Sequence, residues 1–307
     1  MDLSLNKIGL VFSTFPSYLS PLTDYGVTII EGMRKVTKAE TAIRKIHLSL
    51  TSFGLNIWLS NNLKKVKDCD TIIVFANKYN LLIFNKLIRK YPNKRYIFWY
   101  WNPVNKCVDP SLVSVNKQVD ICTFDKKDAE KYHLRFVETF SVTPLPIVMN
   151  SPKKSYKYDI YFIGQNKGRL PIIIEYIKDF KRLGLSYLIQ VVDDSSTKAN
   201  GFKFSDKVPY SKVLEYISNS KCILDIIQNG QEGLTQRVFE AIAMNKKLIT
   251  NNLSLANTKL REDNRVFLLG VDKIEDLISF INTELPPLNE EITSFYSLTG
   301  WLNRLLD

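Results

Sequence analysis

Short runs of β-branched and aromatic residues alternate with helix-length amphipathic stretches along almost the whole of this chain, and that alternation leaves few architectures open. A strand, a helix and a further strand of the same direction form the repeating unit of a parallel sheet with crossover helices. In the first half the pattern predicts strands at 8–13, 71–75, 95–100 and 121–124, with helices at 26–38, 79–90 and 126–132. The apolar spacing over 41–63 is mixed and fits neither period. In the second half strands are predicted at 159–163, 187–192, 222–226, 247–250 and 266–269, and helices at 170–183, 211–220, 235–244 and 273–282. A last helix over 293–306 follows Pro286 and Pro287 and is expected to pack back on the domain pair.

Between the two series, Pro144, Pro146 and the proline, serine and lysine residues of 150–158 break the periodicity as an interdomain linker does. The expected organisation is therefore two α/β, Rossmann-like domains, 1–150 and 151–307, facing each other across a cleft. Ligands of such folds bind outside the carboxyl ends of the strands.

Charge divides unevenly between these halves. Residues 1–150 hold 21 Lys and Arg against 12 Asp and Glu, and residues 151–307 hold 21 against 19, so the front half carries +9 of the formal +11. A one-sided basic surface implies an anionic partner, nucleic acid or the phosphates of a membrane or lipid-linked substrate. Lys86, Arg89, Lys90, Lys94 and Arg95, interleaved with Tyr91, Tyr96, Phe98 and Trp99, read as such a headgroup-facing stretch, or as the solvated face of a helix. No apolar run approaches the ~18 residues of a membrane span. The start of the sequence lacks the features of a secretion signal, and Cys69, Cys107, Cys122 and Cys222 are scattered without metal-ligand spacing. A reducing, cytoplasmic setting is the expectation, without a structural zinc. Asp68 and Asp70 precede a strand instead of ending one, and Asp193 and Asp194 would diverge from a continuing strand, so no catalytic metal and no cofactor are expected.

The most informative segment reads DIIQNGQEGLTQRVFEAIAMNKKLITNN, from Asp225 to Asn252. A strand runs into an amide- and glycine-rich loop and then a helix, whose first N–H groups favour an anion. Glu240 lies in a helix that is apolar on nearly every side, where a carboxylate needs partners. A second candidate is GQNKGR, Gly164 to Arg169, directly after a strand: glycine permits close backbone approach, and Lys167 and Arg169 supply cations for a pyrophosphate. It is neither a Walker loop nor a G-x-G-x-x-G turn, and an ordinary strand-to-helix turn with solvated charges is the alternative reading. In the front half, Asp24 in STFPSYLSPLTDY is a candidate base or acceptor ligand, or a solvated loop aspartate. The strand-end residues Trp99, Tyr100, Trp101 and Asn102 offer a sugar-stacking surface or core. His133, ending a short lysine-rich helix, reads as a capping residue.

Glu232 and Glu240 stand with seven residues between them in EGLTQRVFEAIA, which resembles the E-x7-E segment of retaining glycosyltransferases of the GT-B fold. The stretches CDTIIVFANKYN, RYIFWYWNP, YDIYFIGQNKGR and FYSLTGWLNRLL are likewise similar to bacterial capsule and lipopolysaccharide glycosyltransferases. The resemblance implies that Glu240 binds the ribose of a nucleotide-diphospho-sugar and that Glu232 lies near the donor sugar as a catalytic candidate. Gln231, Gly233, Leu234 and Thr235 would then face the donor, with Thr235 and Arg237 standing where the family has glycine and proline. It implies transfer to a glycan or lipid-linked acceptor. From their places in the front half, Trp101 and Asn102 are the candidates to hold that acceptor and Asp24 the candidate catalytic residue, and the basic charge of that half points to an anionic membrane surface. Rival readings are a nucleotide-sugar epimerase, a catalytically silent partner subunit and a basic nucleic-acid-binding protein, although no RRM, KH or zinc-finger pattern supports the last.

Overall fold

The computed structural model describes residues 5–142, 155–195, 201–228 and 232–307. The chain forms two compact units, one running to Thr139 and including Asn303–Asp307, the other comprising Phe140–Leu302. The boundary expected at 150/151, with most of the linker around it, lies outside the described residues.

The first unit runs β1 (Ile8–Phe12), β2 (Thr28–Glu31), α1 (Lys38–Leu50), β3 (Thr71–Phe75), α2 (Lys78–Lys90), β4 (Arg95–Tyr100), β5 (Val119–Thr123), α3 (Lys126–Tyr132) and β6 (Arg135–Phe136). Its six strands are all parallel, in the order β2-β1-β3-β4-β5-β6. The central strands TIIVF and RYIFWY are buried almost throughout, as near-continuous apolar runs in a parallel sheet must be. Helix starts are set by short polar side chains: Asn77 accepts the Asn80 N–H at 2.8 Å to open α2, and Asp125 accepts the Asp128 N–H at 3.2 Å to open α3. α3 ends at His133 in the left-handed region (φ 53°), so this histidine is a helix cap, as its position in the sequence predicts.

One predicted helix is a strand. Val27, Ile30 and Met33 recur at a helical interval and are all buried, but β-branched Thr28, Ile29 and Ile30 pair with β1 as an edge strand, Ile30 opposite Val11. The helix of this region is α1, which starts at Lys38 and runs into the stretch of mixed period, opened by a capping box between Thr37 and Glu40.

The second unit runs β7 (Tyr158–Gln165), α4 (Leu170–Arg182), β8 (Tyr187–Val192), α5 (Tyr210–Ser218), β9 (Ser220–Asp225), α6 (Gln236–Ala243), β10 (Lys247–Thr250), α7 (Lys259–Glu262), β11 (Val266–Leu268), α8 (Leu277–Asn282), α9 (Glu290–Tyr296) and α10 (Leu298–Leu306). The five strands are again parallel, in the order β11-β10-β9-β7-β8. Val238, Phe239 and Ile242 of α6 pack on one face of this sheet, and Leu170, Ile173 and Phe180 of α4 with Leu277 and Phe280 of α8 on the other. Covered on both faces, it is a Rossmann-like sheet, and all five strand predictions of this half hold to within two residues.

The closing helix predicted over 293–306 is broken at Ser297, whose extended backbone ends α9 and whose hydroxyl accepts the Gly300 N–H at 3.0 Å to start α10. A Cβ on Gly300 would lie 2.2 Å from the Ser294 carbonyl oxygen, so the tight restart requires glycine. α10 belongs to both units: Trp301 stacks on Phe140 at 4.3 Å in the second, while Arg95 and Arg135 of the first donate to the Leu306 and Arg304 carbonyls at 2.5 and 3.4 Å.

Candidate functional site

Strand order locates the switch point of each sheet. In the second unit the chain goes from β7 to β8 on one side and then to β9 on the other, so the crevice lies outside the carboxyl ends of β7 and β9. The GQNKGR turn leaves β7 at this point. Lys167 and Gly168 both adopt positive φ (46° and 78°), and the Lys167 N–H is held by Asp194 Oδ2 at 2.7 Å. Arg169 folds back across the crevice. Its guanidinium donates to the carbonyls of Ile226 (2.6 Å), Gln165 (2.5 Å) and Asn166 (3.3 Å) and lies over the Phe162 ring at 5.5 Å. These acceptors are neutral, so they fix the cation without cancelling its charge. Burial lowers the Arg169 pKa, and Asp225 opposes the change through its charge. Gly164 sits under the guanidinium: a Cβ there would meet Arg169 Nη2 at 2.9 Å.

Beside it lies a carboxylate that sequence reading left unassigned. Asp225, the last residue of β9, is fully buried and accepts hydrogen bonds from Thr235 Oγ1 at 2.9 Å and Thr250 Oγ1 at 3.1 Å. Each hydroxyl in turn accepts a main-chain N–H, from Arg237 at 3.1 Å and from Asn252 at 3.0 Å. The result is a closed chain of donors that ties β9, β10 and the start of α6 together. Burial raises the Asp225 pKa, only partly offset by the two hydroxyls and by Arg237 and Arg169. The available signal was a carboxylate ending an apolar strand. Asn252 also donates to the carbonyls of Glu232 (3.5 Å) and Gly233 (3.4 Å), shaping the loop before α6, and buried Asn166 links β8 to the start of α4.

The other candidate residues of this segment have the following surroundings. Leu234 packs into the core cluster beneath α6. Thr235 is the N-cap of α6: its hydroxyl takes the Arg237 N–H and its carbonyl the Val238 N–H at 3.2 Å, so the helix start is largely capped from within. Arg237 is committed internally, donating to the Ile163 carbonyl at 2.7 Å and to Glu240. Burial lowers its pKa, and the Glu240 carboxylate more than reverses that. Glu240 is buried as the sequence required, with a side chain only 2% exposed beside 21% for Arg237. Its partner is this arginine. Glu232 and Gly233 flank the loop, half-buried and buried; Gln231 lies outside the described residues.

At the corresponding switch point of the first unit, between β1 and β3, stands Asn80. Buried on the first turn of α2, it donates to the Phe75 carbonyl at 2.6 Å and accepts the Ser13 N–H. Asp24 is exposed on the turn that follows β1 and accepts the Thr23 hydroxyl at 3.3 Å. Trp101 and Asn102 are half-buried past the end of β4, Trp101 edge-on to Phe75 at 5.1 Å, whereas Trp99 and Tyr100 are core residues. Of the basic stretch read as membrane-facing, Tyr96, Phe98 and Trp99 are buried in β4. Lys94 donates to the Lys67 carbonyl at 2.9 Å and Arg95 pairs with Asp120 at 3.3 Å, so that sequence run does not form one surface.

Cys107, Cys122 and Cys222 are pushed up to about 11, about 11 and about 12 by burial, which leaves them poor nucleophiles near neutral pH. Asp193 and Asp194 turn to different main-chain donors, Ser195 at 2.9 Å and Lys167 at 2.7 Å. Among the described residues no helix is long and apolar enough to cross a membrane.

No family model matches the chain, and no curated protein matches it either. Among solved structures it is similar to one described as the glycotransferase of kitacinnamycin, at 10% identity and a TM-score of 0.42 over 97% of this chain and 94% of that one. It is also similar to a protein described as a putative UDP-N-acetylglucosamine 2-epimerase from Listeria monocytogenes, at 14% identity and a TM-score of 0.45 over the same shares. Both likenesses are loose, and the fold of this chain stands on its own strand order and register.

Proposed function

We propose that the chain is a glycosyltransferase that moves a sugar from a nucleotide-diphospho-sugar to a glycan or lipid-linked acceptor in surface polysaccharide synthesis, working at the cytoplasmic face of a membrane without a metal. The observation that carries this reading is Arg169: a guanidinium held by neutral carbonyls across the switch point of a parallel sheet, where such folds take their ligands. Loss of a nucleoside diphosphate builds negative charge on the leaving oxygen. A cation already fixed there stabilises that charge without reorganising. Lys167, exposed on the same turn, adds a second cation, and in this reading Glu232 and Gly233 lie toward the donor sugar. Glu240 serves in this scheme through Arg237, bracing α6 against β7. Trp101, Asn102 and Asp24 remain the candidates for the acceptor.

The test is a thermal-shift panel of UDP-, GDP-, dTDP-, CMP- and ADP-sugars, since a ligand selective for the native state raises its apparent stability. One nucleotide class should stabilise the protein, and Arg169→Met should abolish the effect while keeping the fold. Release of nucleoside diphosphate only when an acceptor is supplied marks transfer, and a changed sugar without an acceptor marks epimerisation. Stabilisation by none of the five, or undiminished stabilisation of Arg169→Met, refutes the assignment.

A further inference from the structure

α1 is amphipathic with its faces reversed. Leu48 is its one buried residue, while Ile43, Ile46 and Leu50, at intervals of three and four, lie on the opposite side of the helix in solvent. Ala39 and Ala42 extend the same stripe, and Phe53 and Ile57 follow in the turn beyond it. The five large residues, Ile43, Ile46, Leu50, Phe53 and Ile57, are 58% to 87% exposed and fall within fifteen positions. A contiguous apolar stripe of this kind marks an interaction surface.

Its surroundings define the partner. Residues 34–90 contain twelve Lys and Arg against three Asp and Glu, and so account for a net charge equal to that of the whole front half. Lys38 and Lys45 flank the stripe on one side of α1, and Phe53 and Asn56 line an open groove together with Lys86, Arg89 and Lys90 of α2. Two copies of this face apposed would bring like charges together. An apolar ridge with cations along its edges is instead complementary to an anionic bilayer, where the ridge enters the acyl boundary and the cations meet phosphates.

We propose that α1 and the turn through Ile57 are the membrane-docking element of the protein, taking anionic lipid headgroups with Ile46, Leu50 and Phe53 as the inserted residues. This deepens the proposed function, because a lipid-linked acceptor needs the enzyme held at a bilayer, but it is tested without any sugar transfer. The experiment is flotation with vesicles of phosphatidylcholine alone or with added phosphatidylglycerol, at low and high salt. The full chain should float with the anionic vesicles and dissociate as salt is raised. Ile46→Ser/Leu50→Ser/Phe53→Ser should lower binding at least about tenfold, and Lys38→Glu/Lys45→Glu about tenfold at low salt. Phe53→Trp, which changes only an exposed side chain, should shift its emission to the blue on anionic vesicles, reporting entry of this position itself. Equal binding to both lipids, undiminished binding of the triple variant, or an emission of Phe53→Trp unmoved by bound vesicles overturns the proposal. A concentration-dependent dimer abolished by the triple variant, with no vesicle binding, also overturns it and makes the face a self-assembly surface. Nucleotide-sugar stabilisation is read separately, so either result can fail alone.

Discussion

Replacing Glu240 with glutamine probes what the buried pair on α6 does. In the structure its carboxylate, 2% exposed, faces the Arg237 guanidinium, which also donates to the Ile163 carbonyl at 2.7 Å. Truncation to alanine leaves that guanidinium buried with one neutral acceptor, a change that costs about 3–5 kcal/mol when a buried pair loses one partner. Glutamine keeps the shape and one acceptor oxygen, so only the difference between a charge-assisted and a neutral bond is lost, about 1–2 kcal/mol. For a unit the size of Phe140–Leu302, each kcal/mol moves the midpoint by about 2–4 °C, giving a fall of about 2–8 °C for glutamine and more for alanine. Replacing both partners, as Arg237→Met/Glu240→Leu, should recover most of the alanine loss, because an apolar pair of similar volume leaves no charge unpaired. Calorimetry on the three variants, with and without the stabilising nucleotide-sugar, is the assay. Wild-type stability in Glu240→Gln together with a lost ligand response would mean that the carboxylate binds the donor, and the structural account of the pair would be wrong.

The remaining predictions concern other contacts. Burial raises the native pKa of Asp225, so the folded chain keeps that proton to higher pH than the unfolded one; stability from this group is present below about pH 4 and declines as pH rises toward the native value. Asp225→Asn should flatten that part of the pH dependence, and Thr235→Val, which removes a hydroxyl donor, should cost more at pH 7 than at pH 4 in urea titrations. Asn80→Leu should destabilise the first unit by about 1–3 kcal/mol for each of the two main-chain groups it leaves unpaired; an unchanged melting transition would show that water replaces the side chain. Gly300→Ala should destabilise by about 3 kcal/mol in a denaturant titration, since its Cβ overlaps the Ser294 carbonyl. EDTA should leave the proposed transferase activity intact, and inhibition reversed by Mg²⁺ would overturn the proposal that it works without a metal.

Strands with β-branched runs, such as TIIVF and KLIT, were legible because a central parallel strand is buried on both faces and its composition says so. β2 was not, because edge pairing with β1 overrode an interval that also fits a helix. The GQNKGR turn was placed correctly as a strand-to-helix connection, and its arginine does reach the switch point. Arg237 could not be judged from sequence, since its commitment depends on a carbonyl 74 residues away at Ile163. Capping chemistry has a local signal, as at His133, whereas Asn80 and Asp225 are defined by partners on other strands. α1 shows the limit of periodicity: the apolar spacing over 41–63 fits no single period, and only packing shows that a helix there buries Leu48 and leaves its larger apolar side outward.

The shared last helix also orders events in time. During synthesis from the amino terminus, residues up to Thr139 emerge with their six strands, yet the Arg304 and Leu306 carbonyls that accept from Arg135 and Arg95 come only after the whole of Phe140–Leu302. The first unit to be made is therefore the last to be finished, and the second is, in chain terms, an insertion within it. A nascent first unit must wait with those two guanidinium groups without their final acceptors. Neither half is obtained intact by a single cut. Expressing residues up to Thr139 alone should give a less stable sheet, which a synthetic peptide covering α10 would restore in trans.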